Sequence, residues 1–291
     1  MRCKEIVMTK LTFSTTGCWD QADGFGCASL GLPGICDNDT PCVVAFEVQP
    51  EGIVLTGSYG EILAGAKSVA QPVYAAIVLF GNAGGENAFL ADLQKIISCP
   101  MVGGGAAIDG KTGRAGLIPG NGEAAVFLIT DRRYTYRAVT ENIHTSIINK
   151  CILTFSDPRT LLTINGQDAA AFLREEKAKL GLAESDFEHL TLSDLRGVNA
   201  HLSMVDGVIK SGRDLQEKMY LRYVPQETVF EKMQAFYDDE NAIVFGCAGL
   251  SGLLAKPLTS SSLGLFLFGE VCTVDGVAEF GNLMLSKLII E

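Results

Sequence analysis

Basic residues are scarce in this chain. Its 291 residues include 23 Lys and Arg against 34 Asp and Glu, so the formal net charge is −11. No stripe of Lys or Arg offsets this balance, and an acidic surface repels the phosphates of nucleic acids and of anionic lipids. We therefore expect no nucleic-acid partner and no attachment to a membrane surface.

Long apolar runs are also missing. The longest stretches, such as Val73–Phe80, reach about half the length that a membrane-spanning helix needs, so we interpret them as core strands. The charged start Met1–Glu5 is followed by no apolar region of the kind found in a secretory signal, which favours a cytoplasmic protein. Hydrophobic residues make up 47% of the chain, and a homodimer would hide surface that a monomer must bury alone.

Paired metal-ligand spacings are absent too. None of the nine cysteines forms a Cys-x-x-Cys pair, and the three histidines, His144, His189 and His201, are far apart in the sequence. These spacings predict reduced thiols, no disulfide framework and no metal site. Haem ligation requires only one histidine, so a haem cofactor stays open as an alternative to no cofactor.

The motifs of common catalytic and nucleotide sites are missing as well. Lys111 lacks the glycine spacing of a phosphate-binding loop, and Gly249–Gly252 does not match the Gly-x-Ser-x-Gly pattern of a nucleophile elbow. Cys247 ends an apolar run, where the nucleophile of a cysteine-dependent hydrolase or transferase could lie. A buried core cysteine fits the same position.

One layout, by contrast, occurs twice. The run Ala76–Gly81 is followed by a connecting segment and then by Cys99–Val102, which leads into three glycines. Downstream, Ala242–Gly246 is followed by a connection and by Leu265–Glu270. Each spacing suits a strand–helix–strand unit, and each unit ends in glycine, where backbone can approach a ligand closely. The layout predicts two related halves that meet at glycine-lined strand ends.

Strand patterns outnumber helix patterns along the chain. Apolar spacings of three and four predict a helix at Glu86–Ser98, and composition predicts another at Asp168–Leu180, which Gly181 ends. Because strands and helices do not alternate strictly, we predict an α+β or mixed α/β class with extensive, partly antiparallel sheets flanked by helices. The polar segment Ala183–Gly197 divides the chain into residues 1–190, of which 1–40 stay unassigned, and residues 191–291.

Charged residues beside the two glycine turns are candidate ligand-binding groups. Glu270 follows an apolar strand, where its carboxylate could accept hydrogen bonds from an amine or a guanidinium. Asp109 follows the first glycine turn, and Arg114 could bind a ligand carboxylate. The candidate binding residues are Gly103, Gly104, Gly105, Asp109, Arg114, Gly269 and Glu270.

Three segments resemble the FIST sensory domain family. Pro100–Asp109 is similar to the family's glycine turn after a proline-led strand, and Leu161–Ala169 to its Asp-Gly segment before a helix. Gly264–Glu270, with the later pair Gly281-Asn282, is similar to its C-terminal segment. The likeness spans residues 40–290, and the order and spacing of the three segments carry it.

The resemblance implies an N-terminal FIST portion, a C-terminal FIST portion, and the sensing of a small molecule such as an amino acid. Some relatives are linked to haem and nitric oxide, and many lie beside a signalling module. This chain carries no kinase, methyl-accepting or cyclase segment, so a signal would pass to a separate partner protein. We expect a non-enzymatic ligand-binding protein with its ligand between the halves. The alternatives are a cysteine-dependent enzyme that uses Cys247 and a haem-based gas sensor.

Overall fold

Strands dominate the structure of the protein. The computed structural model describes residues 7–15, 25–29, 31–32, 36–37, 43–81, 84–108, 116–118, 122–259 and 263–291. Within these ranges, three β-sheets and five helices form a mixed α+β fold. The predicted fold class is confirmed, whereas two related halves and a division between residues 190 and 191 stay predictions.

Sheet 1 has nine strands and contains both parallel and antiparallel pairs. In spatial order they are β22 (Val277–Gly281), β21 (Glu270–Val274), β7 (Met101–Gly105), β6 (Ala75–Phe80), β9 (Ala124–Ile129), β5 (Val43–Gly57), β1 (Val7–Thr15), β2 (Phe25–Ser29) and β8 (Leu117–Ile118). The first predicted strand–helix–strand layout forms the parallel pair β6 and β7.

Sheet 2 has six strands. In spatial order they are β10 (Tyr136–Glu141), β23 (Leu285–Ile290), β19 (Ala242–Cys247), β20 (Leu263–Leu267), β3 (Gly31–Leu32) and β4 (Cys36–Asp37). The second predicted layout forms the parallel pair β19 and β20, beside the antiparallel strand β23. In sheet 1, β9 lies antiparallel beside β6 in the same way.

Sheet 3 has eight strands in the described chain, and its strand pairs are antiparallel. In spatial order they are β15 (Asn199–Ala200), β14 (Leu190–Ser193), β18 (Lys218–Tyr223), β11 (Ser146–Asp157), β12 (Thr160–Ile164), β17 (Val208–Ser211) and β16 (Leu202–Val205), with β13 (Gln167–Asp168) also paired to β12. The polar segment that the sequence predicts as a boundary contains β14.

Five helices cover the sheets in the described part of the chain. They are α1 (Tyr59–Ser68), α2 (Glu86–Ile96), α3 (Ala169–Lys179), α4 (Gln226–Tyr237) and α5 (Ala248–Ser251). None of them combines the length and apolar character that crossing a membrane requires. The predicted helices at Glu86–Ser98 and Asp168–Leu180 are confirmed to within two residues at each end.

The core is layered. Helices α1 and α2 pack on one face of sheet 1, the other face packs on sheet 2, and α4 covers the far side of sheet 2. Strand β6 shows the consequence: Ile77 and Leu79 point into the core between the sheets, and Val78 and Phe80 into the core under the helices. Because both faces are buried, the strand is a continuous apolar run. A separate core joins α3 to sheet 3.

Two residues after β12 form a tight turn that leads into α3. Asn165 and Gly166 both adopt positive φ, at 52° and 81°, which is the conformation of a tight two-residue turn. Asp168 then accepts a hydrogen bond from the backbone N–H of Ala171 and caps α3. Gly181, at φ 70°, follows the helix as expected.

The glycines at 103–105 lie within strand β7 itself, so the prediction of a glycine turn after a strand was wrong. A Cβ on Gly103 would lie 1.9 Å from the Val78 carbonyl oxygen, and one on Gly104 would lie 2.2 Å from the Gly269 oxygen. Gly105 donates a backbone hydrogen bond to the Gly269 oxygen at 3.1 Å. We call Gly103–Gly105 together with Gly269 the glycine seam, because backbone packs on backbone there.

Gly103→Ala tests the glycine seam. The new methyl group meets backbone, which cannot move aside, and φ at this position is 137°. We expect the free energy of unfolding to fall by about 3 kcal/mol or more, toward the upper end of single-substitution effects. Urea denaturation measures it. Gly60→Ala in α1 is the control: nothing lies within 4 Å of its Cβ position, so it should stabilise by about 0.5–1 kcal/mol. Equal stability of Gly103→Ala and the unmodified protein would contradict this interpretation.

Candidate functional site

A pocket of about 520 Å³ lies where the three sheets approach one another. Sheet 1 contributes Phe80 and Gly105 to its wall, and sheet 2 contributes Cys247 at the end of β19. Sheet 3 and its loops contribute Arg159 and His201. The volume is within the range of about 300–1,000 Å³ that is typical of small-molecule sites.

The glycine seam opens into this pocket. Gly105 and Gly269 both line it, next to Phe268. Phe268 donates its backbone N–H to the Gly105 oxygen at 2.9 Å, so the connection after β20 is held against the end of β7. Because neither glycine has a side chain, the pocket reaches the backbone at this point.

Arg159 provides the positive charge of the pocket. Its Nη2 lies 3.1 Å from Glu86 Oε2, and its Nε lies 2.8 Å from Asp214 Oδ1. The Arg159 side chain is 38% exposed, so it can still be reached by a ligand. Glu86, at the first position of α2, also lines the pocket and is 8% exposed.

Glu188 and His201 form a second polar pair in the wall. Glu188 Oε1 lies 3.8 Å from His201 Nε2, which is longer than a hydrogen bond, and that ring nitrogen has no hydrogen-bond partner among the described residues. The interaction with His201 is the largest cause that lowers the pKa of Glu188. Glu188 is therefore an available carboxylate at the pocket, and a ligand donor could join the pair.

Among the residues that the structure describes, carboxylates outnumber cations in the pocket wall. Glu86 and Glu188 line it, whereas Arg159 is the one Arg or Lys among its lining residues in the described chain, and Asp214 shares that arginine. Lys177 also acts on Glu188, but its Nζ donates to the Glu184 carbonyl oxygen and does not line the pocket. The arrangement favours a ligand that carries at least one positive charge.

Cys247 lies between the pocket and a buried carboxyl group. The backbone N–H groups of Leu283, Gly249 and Gly269 hydrogen-bond toward its sulfur and lower its pKa. Burial raises the pKa more than these bonds lower it, and the carboxyl of Glu270 raises it further. At rest, therefore, the side chain is a thiol.

Glu270 is fully buried behind Cys247 and does not line the pocket. Its Oε2 accepts a hydrogen bond from the Met284 N–H at 3.1 Å. Its Oε1 has no hydrogen-bond partner of standard geometry within the described structure, and the Cys247 thiol is close enough to lower the pKa of the carboxyl. Burial is the larger effect and raises that pKa well above its ordinary value.

The structure places the predicted site residues in three different locations relative to the pocket. Gly105, Gly269 and the alternative nucleophile Cys247 line one pocket. Gly103 and Gly104 lie along the glycine seam, outside the pocket lining. Asp109 and Arg114 lie outside the described residues.

The pocket's polar residues Glu86, Arg159 and Glu188 were not singled out in the sequence. Glu188 falls in the polar segment that was interpreted as a boundary, and Arg159 follows the Asp157-Pro158 turn. Nothing in their neighbours distinguishes them from solvated charges. Only the chain fold brings them to the glycine seam.

The three histidines also differ. His144 and His189 are buried. Nε2 of His144 lies 2.7 Å from the backbone carbonyl oxygen of Glu188, and Nδ1 of His189 lies 2.9 Å from the backbone carbonyl oxygen of Val224. Burial lowers the pKa of His144 to about 4. His201 alone of the three lines the pocket, so a haem bound there would depend on it. The described residues contain no cluster of three or more His, Cys, Asp or Glu that could hold a metal ion.

Comparison with known proteins adds no family assignment, since no family model and no curated protein matches this chain. The likeness to the FIST family therefore rests on the three sequence segments alone. The pocket has to be interpreted from its own chemistry.

The substitution Glu270→Gln tests whether the buried carboxyl has a raised pKa, through the pH dependence of the free energy of unfolding. Because the folded-state pKa of Glu270 is raised, the folded protein holds its proton more tightly than the unfolded chain. The protonated carboxyl of Glu270 therefore stabilises the fold fully below its pKa in the unfolded chain. This stabilisation is lost as the pH rises toward its pKa in the folded protein. We expect the unmodified protein to lose about 1.4 kcal/mol per pH unit relative to Glu270→Gln above about pH 5.

Urea unfolding at several pH values measures this difference. Glu231→Gln, which changes an exposed carboxylate on α4, is the matched control and should follow the unmodified protein. Parallel pH curves for the unmodified protein and Glu270→Gln would contradict a raised pKa.

Proposed function

We propose that this chain is a non-enzymatic small-ligand-binding sensory protein of the FIST type, with its ligand in the pocket between the sheets. The observation that carries the proposal is a 520 Å³ pocket whose wall combines Glu188, Arg159 and an apolar side that includes Phe80 and Phe268. Small-molecule sites are typically apolar cavities with a few convergent polar groups.

The proposed ligand is a small amine that also carries a carboxylate, such as an amino acid. Its ammonium group would donate to Glu188, whose pKa is lowered so that it stays charged. Its carboxylate would bind Arg159, which would then share its donors between the ligand and Asp214. Charge-assisted hydrogen bonds of this kind are stronger than neutral ones. The resemblance to the FIST family independently implies amino-acid-like ligands.

The position of the pocket suggests how binding would be transmitted. Ligand contacts to Gly105, Arg159 and Cys247 would join sheets 1, 3 and 2, and so favour one arrangement of the sheets over another. The altered surface would act on a separate signalling partner, and a homodimer stays part of the proposal. The five cysteines whose side chains the structure describes are free thiols, which fits a cytoplasmic location.

Cys247 supports a second candidate, a cysteine-dependent hydrolase or transferase. It lines the pocket and lies beside a carboxyl group that could take its proton. The raised pKa of the thiol weighs against this candidate, since the thiolate is the reactive form.

Native mass spectrometry of the protein as purified, with a visible absorption spectrum of the same sample, comes first. A bound small mass would identify the ligand class, and a Soret band would favour the haem alternative. Titration calorimetry with the individual amino acids and with simple primary amines then measures affinity directly.

Glu188→Gln should weaken binding of a responding amino acid by about tenfold or more, because it removes a charged hydrogen-bond partner worth about 1.5–3 kcal/mol. Glu184→Gln is the matched control: Glu184 precedes Glu188 in the same loop, contacts Arg174 and does not line the pocket. Its affinity should be unchanged. Failure of every amino acid and amine to bind, or equal affinities of Glu188→Gln and the unmodified protein, would contradict the proposal.

A further inference from the structure

Asn282 is a buried polar residue in the pocket wall with an unused hydrogen-bond donor. It is 7% exposed, and its Oδ1 accepts the backbone N–H of His201 at 3.3 Å. Because an N–H can only donate, this contact fixes the amide with its oxygen toward His201. Nδ2 has no hydrogen-bond partner among the described residues and lies 2.8 Å from the position of a Cβ on Gly269, which also lines the pocket. A ligand carboxylate could accept from this Nδ2.

Glu86 is a second buried group of the wall with an unused atom. It is 8% exposed, and its Oε2 accepts from Arg159 Nη2 at 3.1 Å. Its Oε1 has no hydrogen-bond partner in the part of the chain that the structure describes. Tyr59 lies near enough for burial and then the charge of Glu86 to raise its pKa, yet its hydroxyl has no partner either. A buried carboxylate oxygen without a donor is costly, so a cationic ligand group would be stabilised there.

The charges around the pocket are not balanced. Glu86, Arg159 and Asp214 form one group, in which a single guanidinium pairs with two carboxylates. Glu188, elsewhere in the same wall, adds another negative charge. Even a protonated His201 beside Glu188 would leave an excess of negative charge. An amino acid with a neutral side chain brings no net charge, whereas one with a cationic side chain offsets part of this excess.

The unused groups lie at two ends of the pocket. Phe280 donates its backbone N–H at 2.8 Å to Oδ1 of Asn87, the residue after Glu86 on α2. Two residues further along the chain, Asn282 contacts His201. Residues two apart in an extended chain are separated by about 6–7 Å, which is about the length of the methylene chain of lysine. The Phe280 ring lines the pocket and offers such a chain an apolar surface.

We propose that this pocket selects a basic amino acid, with Glu86 as the residue that binds the cation of its side chain. The inference rests on the proposed ligand-binding function, because it names the ligand class of the same pocket. Glu188 accepts from the α-ammonium group, and Arg159 and Asn282 donate to the carboxylate. The methylene chain passes the Phe280 ring, and the terminal cation donates to Glu86 Oε1.

Titration calorimetry with L-lysine and three simpler compounds tests the assignment on the unmodified protein. L-norleucine lacks the side-chain ammonium group, cadaverine lacks the carboxylate, and ε-aminocaproic acid lacks the α-ammonium group. We expect lysine to bind tightest and each of the others about tenfold or more weaker, since each loses one charge-assisted interaction. Norleucine that binds as tightly as lysine would overturn the proposal. Cadaverine that binds as tightly would show a diamine site and would overturn it too.

Glu86→Gln tests the residue that sets the preference. We expect the affinity for lysine to fall about tenfold or more, to near that of norleucine, while the affinity for norleucine does not fall, because norleucine places no charge at this position. Asp92→Asn is the matched control: Asp92 also lies on α2, pairs with Lys95 and does not line the pocket. An unchanged preference for lysine over norleucine, or an equal loss of both, would overturn the role of Glu86.

Asn282→Asp tests the donor to the carboxylate. The substitution keeps an oxygen for the His201 N–H and replaces the Nδ2 donor with a second carboxylate oxygen. We expect the affinity for lysine to fall about tenfold or more, whereas that for cadaverine, which has no carboxylate to be repelled, should not fall. Unchanged binding of lysine, or an equal loss of lysine and cadaverine, would contradict this role of Asn282.

The same titrations keep the failure of this inference separate from that of the proposed function. If norleucine and other neutral amino acids bind as tightly as lysine, the preference for a basic side chain is overturned and the proposed ligand-binding function stands. If lysine and every other amino acid and amine fail to bind, both are overturned.

Discussion

The close approach of backbone to backbone along the glycine seam is the constraint on which the rest of this structure depends. Strand β7 pairs with β6 on one side and with β21 on the other, and a Cβ on Gly104 would meet the Gly269 oxygen. Strand β21, which follows β20 of sheet 2 in the chain, thereby becomes part of sheet 1. The contact also places the ends of β7 and β20 side by side, which opens the pocket between them.

The pairing of β21 with β7 also determines which ionisable groups lie behind the pocket wall. Glu270 begins β21 directly after Gly269, so the pairing of β21 with β7 carries the carboxyl into the core beside Cys247. Burial of a carboxyl with one backbone donor costs free energy, and a polar group in such a position is more often found at functional sites than elsewhere. The connection between β20 and β21 thus links the glycine seam to a buried pair of ionisable groups, Cys247 and Glu270.

Much of the fold could be predicted because its signals are local. The apolar run of β6 reflects burial on both faces, the Asn165-Gly166 turn reflects two positive φ values, and α3 reflects composition and an Asp cap. The candidate site was predictable only in part. Gly105, Gly269 and Cys247 were found because they end apolar strands, whereas Arg159 and Glu188 carry no local mark that separates them from surface charges.

The sequence by itself determined the α+β class, the positions of β6, α2 and α3 and the acidic balance, since periodicity, turn residues and charge act over a few residues. Tertiary structure alone decided that three glycines form a strand rather than a turn, that Glu270 lies behind the pocket rather than in it, and that sheet 3 supplies Glu188 and Arg159. These outcomes depend on pairings between residues far apart in the chain, such as Val271 with Gly103. Long-range strand pairing is set by which backbones can meet without a clash, and no short window of sequence contains that information.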